Sequence, residues 1–259
     1  MVPKEETQAA AFVKDVADGR GVVAAVLDTG VDLDAVGLQT CPDGSPKIID
    51  TIDATGSGDV AMTVVREAVD NVIEGIAGRK LRLSPDWKNP TGKWRVGSKP
   101  AFDLYPDGLV DRLRKEKRKE IDEQHTPFIA QLRRTEGKDK KDAEATVEAL
   151  NLLAGTEEAG PQIDCVLWHD GSVWRAVIDA TESGDLSALT PLTDFDVERK
   201  GGTFGVAEQL PYVVHIYDNG AVLSIVTVCG THGTHVAAIL AAKSVSTSNR
   251  YNCLQASNM

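Results

Sequence analysis

Val22 to Leu27 is a run of six apolar residues, V-V-A-A-V-L, that breaks off sharply at Asp28-Thr29-Gly30. A strand with one wet face alternates apolar and polar residues, so an unbroken run is expected of a strand covered on both faces, as in the middle of a parallel sheet. In open α/β sheets the carboxyl ends of such strands are where ligands and reacting groups collect. Asp28 stands at that end, which makes its carboxylate a candidate functional group. Asp before Thr-Gly is also a common turn former, a role that requires no chemistry.

Around this run the pattern alternates between helix and strand. Ala9, Phe12, Val13 and Val16 fall at helical spacing, and Asp18-Gly19 then Gly21 stop them. A second strand is predicted from Lys47 to Ala54, closed by the loop Thr55 to Asp59, which lacks the spacing and the Lys of a phosphate-binding loop. From Val60 to Pro106 short mixed segments with Trp87, Trp94, Asn89-Pro90 and Thr91-Gly92 read as the β-rich start of an inserted domain. Asp111 to Glu120, D-R-L-R-K-E-K-R-K-E, reads as an exposed helix laced with near-neighbour ion pairs. With a helical stretch at Ala143 to Leu153 it suggests a helical hairpin, separated by the breaker-rich Thr135 to Lys141. Asp170-Gly171 between Ile163–Trp168 and Ser172–Asp179 is a hairpin signal, with His169 as a turn residue. Asp218-Asn219-Gly220 marks a second hairpin, in which His215 is a packed or edge-facing strand residue. This hairpin delivers the chain to Thr231–Ile239, T-H-G-T-H-V-A-A-I, the start of a small-residue helix.

Bulk properties narrow the class. A chain of 259 residues, 42% hydrophobic, suits one large domain or a domain carrying an insertion. Its net charge of −11 argues against binding nucleic acid or a bilayer surface, both of which are anionic. The four cysteines are scattered with no Cys-x-x-Cys pair, so they read as free thiols in a reducing compartment. The N-terminus is charged where a secretory signal would be apolar, and no stretch approaches the roughly 20 apolar residues of a membrane span. A soluble cytoplasmic protein is expected.

Two histidines three apart, His232 and His235, could share a metal, but the hydrolytic zinc helix spaces them by four with a Glu between, and no Glu is present. No metal is therefore expected. A nucleophilic mechanism instead needs a base that works near pH 7 and a carboxylate that sets its tautomer and stabilises the imidazolium. His232 and Asp28 can fill those roles, and Asp before His is the order of the subtilisin triad.

V-L-D-T-G-V-D at Val26–Asp32 and H-G-T-H-V-A at His232–Ala237 resemble the Asp and His motifs of the subtilase family of serine peptidases. The resemblance implies that His232 is the catalytic base, that Asp28 is its partner, and that His235 is a structural helix residue. Peptides would be the substrates, and no cofactor is implied. In that family the two motifs ordinarily lie a few dozen residues apart, whereas here the separation is 204 (232 − 28). Such an insertion resembles a branch of large cytosolic aminopeptidases that release tripeptides from peptide N-termini and assemble into homo-oligomers. Lys47–Val60, Trp87–Trp94, Asp164–Ala176 and Ile216–Gly220 carry the likeness further, over residues 3–241 in all. The implied fold is α/β, a partial subtilisin-like parallel sheet with helices, interrupted by a large α+β insertion between the Asp and His motifs. Residues 1–60 would be the first part of the catalytic domain, 61–205 the insertion, 206–242 the return to the catalytic domain, and 243–259 an aberrant or disordered tail.

Two departures qualify the activity. The family's Ser, in a G-T-S-M-A type motif, and the Asn that helps hold the oxyanion are not found after His232, and the pattern is lost beyond Ala242. A chain cut short would hydrolyse nothing by itself. The alternative is a catalytically inactive fragment acting in assembly or regulation. Asp-Thr-Gly is also the signature of aspartic peptidases, but that chemistry needs a second such Asp or a homodimer and leaves H-G-T-H unexplained.

Overall fold

The computed structural model describes residues 4–19, 21–134, 140–155 and 160–242. They fall into two units, one built from the chain up to Tyr105 and from Gln162 onward, the other from Pro106–Pro161. The smaller unit is a pair of helices, α2 (Asp107–Leu132) and α3 (Lys140–Gly155), with Ala143 and Val147 of α3 lining a groove beside Leu132 of α2. The charged run of α2 is solvated as its composition predicts, with Lys119 reaching Glu123 one turn on at 3.7 Å. The breakers at 135–139 and the expected tail at 243–259 lie outside the described residues.

The larger unit is built of antiparallel sheets. One has β1 (Asp59–Ala61), β10 (Val222–Thr227), β9 (Pro211–Tyr217) and β8 (Gly202–Thr203) in the order β1-β10-β9-β8. The other has β2 (Val64–Glu67), β5 (Lys93–Pro100), β6 (Gln162–His169) and β7 (Trp174–Ile178) in the order β2-β5-β6-β7. β3 (Val72–Glu74) and β4 (Lys80–Arg82) pair separately. Three helices complete the unit: α1 (Ala9–Asp15), α4 (Phe195–Glu198) and α5 (His232–Ala241).

Both expected hairpins form. β6 and β7 pair from Cys165 against Ile178 to His169 against Trp174, and β9 and β10 from Tyr212 against Thr227 to Tyr217 against Val222. Asp170 closes the first turn by accepting the Ser172 and Val173 amides on one carboxylate oxygen, and His169, the last residue of β6 rather than a turn residue, accepts the Gly171 amide on Nδ1. In the second turn Asp218, Asn219 and Gly220 all adopt positive φ, which favours Asn and Gly there.

Trp168 stacks on Trp87 at 4.8 Å between ring centroids and meets Trp94 at 5.0 Å, at the centre of a core that includes Leu81, Val96, Val166 and Leu186. The two sheets approach at Gly97 of β5. A Cβ there would stand 2.7 Å from Val60 and 2.8 Å from the Ala61 carbonyl oxygen, so only glycine fits. A smaller cluster, Phe195, Val213 and Val226 with Leu33 and Ile48 against it, fastens the segment after Asp28 to the β9–β10 hairpin.

Two expectations from the sequence are corrected here. Val22–Leu27 forms no strand and is not buried, with Leu27 91% and Val23 69% exposed. A two-sided strand needs neighbours on both edges, and no described strand ladders with this run; the ladders between the named strands are all antiparallel. Lys47–Ala54 likewise forms no strand: it ladders with no described strand, and its anchors are the Lys47 amide on the Gln39 carbonyl at 3.1 Å and His215 Nε2, 2.9 Å from the Thr51 carbonyl oxygen. Among the described residues no helix is long and apolar enough to cross a membrane.

Candidate active site

β10 runs out at Thr227, and the chain turns through Cys229 and Gly230 into α5. Gly233, Ala237 and Ala241 recur every four residues and form the buried stripe of that helix, so the small side chains let it lie close to its support. His232 occupies the first helical position. Its neighbour across the site is the loop of residues 28–32, held by a set of contacts between sequence-distant backbones.

The Cys229 amide donates to the Thr29 carbonyl at 2.8 Å. Gly30 has φ +96°, which favours glycine, and a Cβ there would come a tight 3.2 Å from the Val228 Cα. A Cβ on Gly233 would collide with the Gly30 carbonyl oxygen. The Asp loop and the His helix therefore touch backbone to backbone. Side chains join them as well: the Gly233 amide donates to the Thr29 hydroxyl at 3.2 Å, and the Asp32 amide donates to the Thr234 hydroxyl at 2.9 Å.

This packing brings Asp28 and His232 together. His232 Nδ1 lies 2.8 Å from Asp28 Oδ1 and 2.7 Å from Oδ2. A carboxylate only accepts, so the proton of this bond sits on Nδ1, and the second ring nitrogen is left for other work. The Thr29 amide also donates to Asp28 Oδ1, at 2.7 Å. This amide first, and then the His232 ring, hold the Asp28 carboxyl below its ordinary range and keep it ionised. The Asp28 side chain is 16% exposed and that of His232 72%, so the carboxylate lies beneath and the imidazole faces outward. The group Asp28 meets is an imidazole, where an aspartic peptidase would present a carboxylate.

His235 lies exposed one turn further along α5. His215 is buried in β9, where its Nε2 also lies 3.1 Å from Asp50. Among the described residues no group of three or more His, Cys, Asp or Glu is placed to hold a metal ion. Reading the sequence singled out Asp28 and His232 but missed Thr29, Gly30, Gly233 and Thr234, which set their approach. The available signal was the recurrence of Thr beside Gly in both motifs, which fits two backbones brought close and bridged by hydroxyls.

No protein-family model matches the chain. It is 42% identical over 267 residues to Tripeptidyl-peptidase 2 of Arabidopsis thaliana, an alignment covering 93% of this chain and 19% of the plant protein. Tripeptidyl-peptidase 2 of Oryza sativa subsp. japonica is 43% identical over 248 residues, covering 87% of this chain and 18% of that protein, and Tripeptidyl-peptidase 2 of Caenorhabditis elegans is 36% identical over 245 residues, with the same shares. The chain thus spans about a fifth of the length of the curated relatives it matches. A crystal structure of tripeptidyl peptidase 2 superposes with a TM-score of 0.68 at 23% identity, over 93% of this chain and 20% of that one, which establishes a common fold.

Proposed function

Because the chain is homologous to tripeptidyl-peptidase 2 over the fifth of that protein which it spans, we propose that it carries the Asp and His of a subtilase-type serine peptidase, one that releases tripeptides from peptide N-termini. The observation that carries this reading is the 2.7 Å contact between Asp28 and His232 Nδ1, made across 204 residues of sequence. With Nδ1 directed at Asp28, His232 presents Nε2 to a serine hydroxyl supplied from outside the described residues. Nε2 takes the hydroxyl proton as the oxygen attacks the peptide carbonyl carbon, and Asp28 stabilises the imidazolium so formed. The same nitrogen then gives the proton to the departing amine.

The catalytic domain is read as residues 1–60 and 206–242, with 61–205 inserted between them. Support for an α+β insertion comes from the sheet β2-β5-β6-β7 and the helices α2 and α3, all of which lie inside it.

The test replaces the matching segment of the Arabidopsis relative with residues 4–242 of this chain and measures tripeptide release from a chromogenic tripeptide amide. Asp28→Asn in the hybrid is expected to lower kcat by about ten-thousand-fold, because the wrong tautomer of His232 is then favoured. His232→Ala should lower it at least as far. Undiminished turnover in His232→Ala would sink the assignment.

A further inference from the structure

Thr231, the residue that precedes α5, is a Thr at the position where a side chain ordinarily caps a helix, yet it makes no capping bond and its backbone is already helical, at φ −83° and ψ −12°. A cap accepts a hydrogen bond from the amide of the second or third helical residue. In α5 the second residue is Gly233, and its amide is taken by the hydroxyl of Thr29, 204 residues earlier in the chain. The same hydroxyl donates its proton to the Gly230 carbonyl oxygen at 3.2 Å. One donor and one acceptor on a single oxygen are thus both used on the two backbone groups that flank His232.

The geometry points to Thr29 as the N-cap of the His232 helix, supplied from the Asp loop, and hence as a positioning residue for the Asp28–His232 pair. Capping α5 and docking Asp28 are then one event: the helix gains its cap only when the loop bearing Asp28 is seated. Thr234 completes the clasp from the opposite side, its hydroxyl accepting the Asp32 amide. The catalytic consequence rests on the peptidase reading given above; the capping itself does not.

Hydrogen exchange at the Gly233 amide and the 15N shifts of the His232 ring, both measured by NMR on the whole chain, test the capping directly. Thr29→Val removes the hydroxyl at near-constant volume and should speed Gly233 exchange about fivefold, the loss usual for an N-cap. It should also replace the Nδ1–H tautomer of His232 by the mixture found in a free imidazole. Thr29→Ser should preserve both signals, and Thr231→Ala should leave both unchanged. If Thr29→Val fails to fold, seen as lost amide dispersion in β9 and β10, Thr231→Ala alone decides. Faster Gly233 exchange in that variant overturns the proposal, and unaltered exchange upholds it.

In the hybrid peptidase Thr29→Val should lower kcat with little change in KM, and Thr29→Ser should restore it. Failure of the two readings is distinguishable. Activity that survives His232→Ala removes the peptidase assignment and leaves the NMR result standing. Unaltered exchange and tautomer in Thr29→Val remove the clasp, whatever the activity.

Discussion

Both ring nitrogens of His215 face oxygens that can only accept: Nε2 the Thr51 carbonyl at 2.9 Å and Asp50 at 3.1 Å, Nδ1 the Asp194 carboxylate at 3.6 Å. A neutral ring has one N–H to offer, so this pocket favours the imidazolium. The Asp194 bond raises its pKa above 6.5; burial opposes this, while Asp50 and the Thr51 carbonyl add to it. A folded-state value above the unfolded one means stability that is fully present below pH 6.5 and is lost as pH rises through the folded value. The urea midpoint should therefore fall as the pH is raised from the acid side of 6.5, and His215→Gln should flatten that slope. An unchanged slope in the variant would assign the dependence to another group. Sequence placed His215 in a strand, packed or edge-facing, but could not identify its partners, since Asp50 and Asp194 meet it only through the fold. Asp28 and His232 were legible for the opposite reason: each sits in a short local motif, V-L-D-T-G-V-D and H-G-T-H-V-A, whose residue types and Asp-before-His order can be read without the fold.

At the scale of elements, the β3–β4 pair and the β6–β7 hairpin are joined through Arg79. Its guanidinium reaches Asp179 at 3.3 Å, the Gln162 carbonyl at 2.8 Å and Glu182 at 2.9 Å, with Asp164 at 3.7 Å. Asp164 and Asp179 are both buried, and Asp179 also accepts the Ser183 and Gly184 amides. Arg79→Ala strips the cation from buried carboxylates and should destabilise the fold by about 3 kcal/mol, read from the urea midpoint. A loss below about 1 kcal/mol would mean the amides satisfy these acids unaided. Alternation and Asp-Gly turn chemistry revealed the hairpins in the sequence, because register and turn are local properties. The bridge through Arg79 was not legible there, because its partners are some 100 residues away.

For the molecule as a whole, the largest departure from expectation is the exposed run Val22–Leu27, while β6, which carries Gln162, Asp164 and His169 among its apolar residues, is buried over most of its length. β6 has β5 and β7 on its two edges, and Val22–Leu27 has no described strand beside it. Isolated exposed apolar residues are ordinary, but a contiguous run is a site for association. The chain should self-associate as its concentration rises, measured by light scattering, and Leu27→Lys with Val23→Lys should suppress this without disturbing the β9–β10 hairpin. A strictly monomeric parent chain would count against this exposed apolar run as a site of association.

Local sequence sets what depends on neighbours in the chain: the helix at α5, the two hairpins, the charged helix α2, and the chemical types at Asp28 and His232. Tertiary structure decided whatever depends on residues far apart. It set the 2.7 Å approach of Asp28 to His232, the crossing of Thr29 to the helix that Thr231 leaves uncapped, and the fate of each apolar run. Periodicity records how a segment wishes to be covered, whereas a strand forms only where another backbone offers its N–H and C=O groups in register.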